Sequence, residues 1–125
     1  MQYSLLLINQ EASEVTISPE VMAETQAAFS AYGKALVEAG VLVAANILRP
    51  TSASTTVTLR NGRLEINDGP FADTKEKLAG TFVIEVPDLD AALAWAEKCP
   101  ATQYGVVEVR PSAIIIRDGE WTDPS

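Results

Sequence analysis

Carboxylates, an ammonium group and one aromatic ring crowd into the segment Asn67-Asp68-Gly69-Pro70-Phe71-Ala72-Asp73-Thr74-Lys75-Glu76. Such a set offers general acid–base chemistry when burial lifts one carboxylate toward neutrality. Asp68 is the residue assigned that role, and Phe71, Asp73 and Lys75 are assigned to ligand binding around it. The same residues also have a purely structural reading. Asp accepts a backbone hydrogen bond, Gly supplies positive φ and Pro fixes the next φ. On that reading Phe71 plugs the core, and Lys75-Glu76 opens a solvated helix after Asp73-Thr74.

Other chemistries are poorly supplied. The chain has no histidine, which removes the commonest general base near neutral pH and the commonest metal ligand. Only a hard oxygen site for a divalent cation remains, and Asp68, Asp73 and Glu76 lack the spacing of a known binding loop. No metal and no cofactor is expected. Cys99 is the single cysteine, so no internal disulfide can form. It stands at a predicted helix C-terminus, where the dipole raises a thiol pKa and disfavours a nucleophile. No glycine-rich phosphate loop and no serine elbow is present.

The net charge of −8 argues against nucleic acid and against an anionic membrane surface as partners. Leu5-Leu6-Leu7-Ile8 is too short for a signal segment or a membrane span, so a cytoplasmic location is expected. The 125 residues, 47% of them hydrophobic, suit one domain with its own core. The domain is expected over residues 1–117, with a polar tail over 118–125.

The elements that must position these groups follow from periodicity. Tyr3 to Ile8 is a short apolar run, predicted as a buried strand, followed by a polar loop from Asn9 to Thr16. Ser18-Pro19-Glu20 starts a helix, with Ser as cap and Pro at the first position. Met22, Phe29, Tyr32 and Leu36 share its inner face, and Gly40 ends it. Gly33, inside the helix, should cost about 1 kcal/mol relative to Ala, and close packing against a sheet is one way to compensate. Val41 to Leu48 is a second strand, closed by Arg49-Pro50. Thr56 to Arg60 and Arg63 to Ile66 flank Asn61-Gly62, a strong hairpin signal. Gly80 to Val86 is a strand. Leu89, Ala92, Leu93 and Ala96 line a second helix, capped by Asp88 and stopped at Cys99-Pro100. Val106 to Arg110 is the last core strand, and Ala113 to Arg117 is a candidate edge strand.

That order is α+β: ferredoxin-like βαββαβ with an inserted β-hairpin. Its helices cover one face of the sheet, and the other face needs a cover, which a homodimer would supply. Asn46 and Arg49 sit at the end of the second strand that can face a cleft. Arg49 can hold a carboxylate or phosphate bidentately, although an exposed Arg before Pro50 is the plainer reading.

The chain resembles the YCII-related proteins, in their DGPF branch. The resemblance rests on Met1 to Ile8, on Glu38-Ala39-Gly40-Val41-Leu42, on Asp68-Gly69-Pro70-Phe71-Ala72-Asp73-Thr74-Lys75-Glu76, on Asp88-Leu89-Asp90-Ala91-Ala92-Leu93 and on Val107-Glu108-Val109-Arg110-Pro111. It implies a dimeric α+β barrel with a cleft near the interface. One departure matters. Family members with a catalytic pair carry a His in the first helix and an Asp near the first strand. Here Pro19 to Ala39 has no His, and the segment after the first strand is Asn9-Gln10-Glu11. Asn9 and Glu11 lie where relatives place polar loop groups, which makes them candidates to replace that pair. The expected function is small-molecule binding by a homodimer, with carboxylate-based acid–base activity within its means. The alternative is a non-catalytic regulatory or interaction module of the kind associated with sigma factors.

Overall fold

Period-two alternation decides which side chains of each strand meet the helices. In the computed structural model, which describes residues 1–11 and 17–124, the elements run β1 (Gln2–Asn9), α1 (Pro19–Glu38), β2 (Leu42–Ile47), β3 (Thr55–Arg60), β4 (Arg63–Asp68), β5 (Lys77–Glu85), α2 (Leu89–Glu97), β6 (Val106–Pro111), β7 (Ile115–Arg117) and β8 (Glu120–Thr122). The loop expected over 9–16 lies outside the described residues beyond Glu11, as does Ser125 of the tail.

Four strands form one antiparallel sheet in the order β2-β5-β1-β6. This is a mixed α+β domain, and its order is consistent with the ferredoxin-like pattern. Tyr3, Leu5 and Leu7 of β1 stand opposite Ile84, Phe82 and Gly80 of β5, and opposite Pro111, Val109 and Val107 of β6. Tyr3, Leu5, Leu7, Phe82 and Ile84 are buried beneath the helices with Tyr32, Leu36, Ala92, Ala96, Cys99 and Ala101. The Tyr32 ring meets Phe82 edge-on at 5.3 Å, and its hydroxyl donates to the Trp95 carbonyl at 2.8 Å, which joins α1 to α2. Burying a ring with its polar tip satisfied is the favourable way to place a tyrosine in a core.

The helix signals held. Ser18 Oγ accepts from Val21 N at 3.2 Å, and Asp88 Oδ1 accepts from Ala91 N at 2.9 Å. Gly40 closes α1 at φ +72°. Several finer expectations did not hold. Met22, Leu89 and Leu93 are exposed, so the buried stripes are narrower than the apolar ones. A Cβ on Gly33 would meet nothing within 4 Å, so that glycine is not a close-packing device. No helix opens at Lys75-Glu76. Lys75 and Glu76 lie in a bend, and the chain enters β5 at Lys77. Ile115–Arg117 does not edge the main sheet. It pairs with Glu120–Thr122 in a separate hairpin that reaches past residue 117.

Candidate functional site

Two regions bring polar groups together. The first is the end of the sheet where β1 and β2 finish and β5 begins. A bulge there is decisive. Leu7 pairs with Gly80 but Ile8 pairs with Leu78, so Ala79 is the extra residue and Lys77 falls opposite Asn9. Bulges re-aim side chains in this way. Lys77 Nζ reaches Glu11 Oε1 at 3.4 Å, and both side chains are about nine-tenths buried. Thr51, in a short 3-10 turn after Arg49-Pro50, donates its backbone N–H to Glu11 Oε2 at 2.9 Å and its hydroxyl to Glu11 Oε1. These hydrogen bonds, the Thr51 hydroxyl first, hold the Glu11 carboxyl below the usual carboxylate range, with Lys77 adding to the effect and desolvation opposing it. Two glycines make the close approach possible. A Cβ on Gly80 would lie 2.8 Å from the Asn46 carbonyl oxygen, and one on Gly105 would lie 2.6 Å from that of Ile8.

The second region is the sheet face turned away from the helices. Strand register sets Asn46, Thr81, Leu6 and Glu108 in one row across the four strands. Ala44, Val83, Ser4 and Arg110 form the next. Adjacent strands lie about 4.8 Å apart, so each row spans roughly 14 Å. Ser4, Leu6, Thr81, Val83 and Glu108 are half-buried, and Asn46 and Arg110 are exposed. Glu108 Oε2 is removed from solvent and meets Arg110 Nε at 2.6 Å without hydrogen-bond alignment. The floor therefore offers an apolar centre between an amide–hydroxyl pair and a charged pair.

The expected site residues divide between these regions and a third. Asn9 and Glu11 belong to the junction, and Arg49 precedes it, exposed. Asn46 belongs to the open face. Asp68, Phe71, Asp73 and Lys75 stand on or after the β3–β4 hairpin, all exposed. Phe71 does not plug the core, for it is 88% exposed. The turn itself is well explained by backbone chemistry. Gly69 adopts φ +99°, its N–H donates to the Ser54 carbonyl at 2.8 Å, and its carbonyl accepts from Thr56 Oγ1 at 2.7 Å. Cys99 is buried, and burial pushes its thiol up; desolvation, not the helix dipole, is the leading cause.

Thr51, Lys77, Ser4, Thr81, Glu108 and Arg110 were missed as site residues. Glu108 and Arg110 had a readable signal. They alternate with Val107 and Val109, so strand periodicity already set them on the face opposite the core. Thr51 and Lys77 had none, because their meeting depends on the bulge.

Among the described residues no helix is long and apolar enough to cross a membrane, and no group of three or more His, Cys, Asp or Glu side chains is placed to hold a metal ion. The chain is 37% identical over 118 residues to an uncharacterized protein of Rhizobium meliloti (strain 1021), covering 91% of this chain and 94% of the relative. The family model described as the YCII-related domain matches residues 1–115. With that match across the whole sheet and both helices, the chain belongs to the YCII-related family.

Proposed function

We propose that the chain is a homodimeric small-molecule-binding domain whose ligand lies on the uncovered sheet face. The row Asn46, Thr81, Leu6 and Glu108 carries this reading. Binding sites combine an apolar surface with a few convergent polar groups, and this face has both. Asn46 and Thr81 can orient one end of a ligand. Glu108 can accept from a donor at the other. The junction at Asn9, Glu11 and Arg49 borders the same sheet, and the loop with Asp68, Phe71, Asp73 and Lys75 supplies a further wall. Asp68 is the carboxylate proposed for acid–base work there. A cytoplasmic location without a metal or organic cofactor belongs to the same reading.

A thermal-shift screen of purified protein against a panel of small metabolites tests it, repeated on Asn46→Ala and Asp68→Asn. A ligand at a hundred times its Kd stabilises by about 2.7 kcal/mol, a readily measured shift. The expected result is a specific shift that is lost in both variants. A shift retained in Asp68→Asn removes that residue from the site, and a panel without hits contradicts the reading.

A second reading is a regulatory or interaction module. The 88% exposure of Phe71 favours it, because a bare aromatic ring suits a protein partner. A silent metabolite panel together with a stable complex with a different chain would select it.

A further inference from the structure

Glu108 and Arg110 stand two residues apart on β6, so both point to the sheet face turned away from the helices. Their charged groups touch, with Arg110 Nε 2.6 Å from Glu108 Oε2. The contact lacks hydrogen-bond alignment, and Oε2 is an acceptor shut off from solvent without a donor. Buried acceptors are ordinarily satisfied, so this one calls for a donor. Arg110 is exposed, and the terminal nitrogens of its fork suit a carboxylate held bidentately. We infer that this face binds a zwitterion, an aromatic α-amino acid whose ammonium is held by Glu108 and whose carboxylate is held by Arg110, which rests on the binding face proposed above and adds the chemical class of its ligand.

Charge selects the head group. A simple anion would meet Arg110 but be repelled by Glu108, and a simple cation would meet the reverse. Only a ligand with both signs on neighbouring atoms satisfies the pair, and specificity of this kind comes from the charge left unmatched in the wrong ligand. Strand register selects the rest of the molecule. Leu6 lies opposite Glu108 on β1, and Ser4 lies opposite Arg110. Beyond them on β5 stand Thr81 and Val83. A side chain leaving the head group therefore crosses Leu6 and Val83, an apolar strip that suits an aromatic ring. From β6 to Thr81 is two strand spacings, about 10 Å, a span that a phenolic amino acid bridges with a hydrogen bond at either end. The tip finds polar groups there. Among the described residues, the side chains of Thr81 and of Asn46 opposite it make no hydrogen bond of their own.

Isothermal titration calorimetry of the full chain tests the head group with three probes: L-tyrosine, tyramine, which lacks the carboxylate, and hydroxyphenylpropionate, which lacks the ammonium. Wild type is expected to bind L-tyrosine at least about tenfold more tightly than either truncated probe, the loss expected for one charge-assisted contact. Arg110→Gln is expected to weaken L-tyrosine by a similar factor and leave tyramine unchanged. Glu108→Gln is expected to weaken L-tyrosine and leave hydroxyphenylpropionate no weaker. This crossed pattern is one that a merely structural role for the pair would not produce. Equal affinity for L-tyrosine and either truncated probe overturns the inference, as does wild-type affinity for L-tyrosine in either variant. Should a variant lose its far-ultraviolet circular dichroism, the comparison of the three probes on wild type decides alone. No binding of L-tyrosine, with a different metabolite bound and lost in Asn46→Ala, overturns the zwitterion while the binding face stands. Silence of the three probes and of the wider metabolite panel overturns both.

Discussion

Lys77 Nζ lies 3.4 Å from Glu11 Oε1, and this buried pair ties the end of β1 to the start of β5. Thr51 completes the tie by donating to both carboxylate oxygens. A buried pair costs most when one partner is removed, because the other is left uncompensated. Glu11→Gln and Lys77→Met are each expected to lower the Tm. The double variant is expected to lose less than the sum of the two, and a strictly additive double-mutant cycle would contradict the coupling.

The pair also sets a pH dependence. Glu11 is held below the usual carboxylate range in the folded chain. Its contribution is therefore complete above the unfolded carboxylate pKa of about 4.3 and is lost as pH falls through the lower folded value. Urea midpoints measured between neutral pH and the acid range should fall less steeply for Glu11→Gln than for wild type. Parallel curves would show that Glu11 does not take part.

Gly105→Ala probes the geometry around Asn9. The added methyl would fall 2.6 Å from the Ile8 carbonyl oxygen and 2.7 Å from Asn9 Cβ, neither of which is the free end of a flexible chain. The strand must shift, and overpacking of this kind costs about 1–3 kcal/mol. A denaturation free energy within ~0.5 kcal/mol of wild type would refute the crowding.

Leu36 and Phe71 make a contrasting pair. Leu36 is fully buried, so Leu36→Ala should cost about 2–5 kcal/mol. Phe71 is 88% exposed, so Phe71→Ala should change the stability of the single chain by less than ~0.5 kcal/mol. Equal losses in chemical denaturation would place the ring in a core after all.

Cys99 provides an independent check on the core. It is buried and its thiol is pushed up by desolvation, so a thiol-specific reagent at neutral pH should label it only as fast as the chain opens. Labelling at the rate of a free thiol in the native protein would mean that this end of α2 is open.

The order of the elements was legible because each carries a local signal. Ser18-Pro19 opens α1, Asn61-Gly62 turns the hairpin, and Asp88 caps α2. The short apolar run from Tyr3 to Ile8 likewise announced a strand, and alternation in Val106 to Arg110 carried the signal for the outward charges. The candidate junction was not legible. Glu11, Thr51 and Lys77 are far apart in the chain, and only the bulge at Ala79 brings Lys77 opposite Asn9. Phe71 misled for a related reason. An aromatic after a rigid turn resembles a core plug, but the hairpin it follows is separate from the main sheet, and Phe71 is not among the residues that build the core.

The central claim is that the sheet face opposite the helices is the floor of a binding site. Amide chemical-shift mapping with a hit from the metabolite panel tests it most directly. The account predicts saturable shifts at Leu6, Thr81 and Glu108 that Asn46→Ala abolishes. Shifts confined to α1 and α2, with those three amides unmoved, would contradict it.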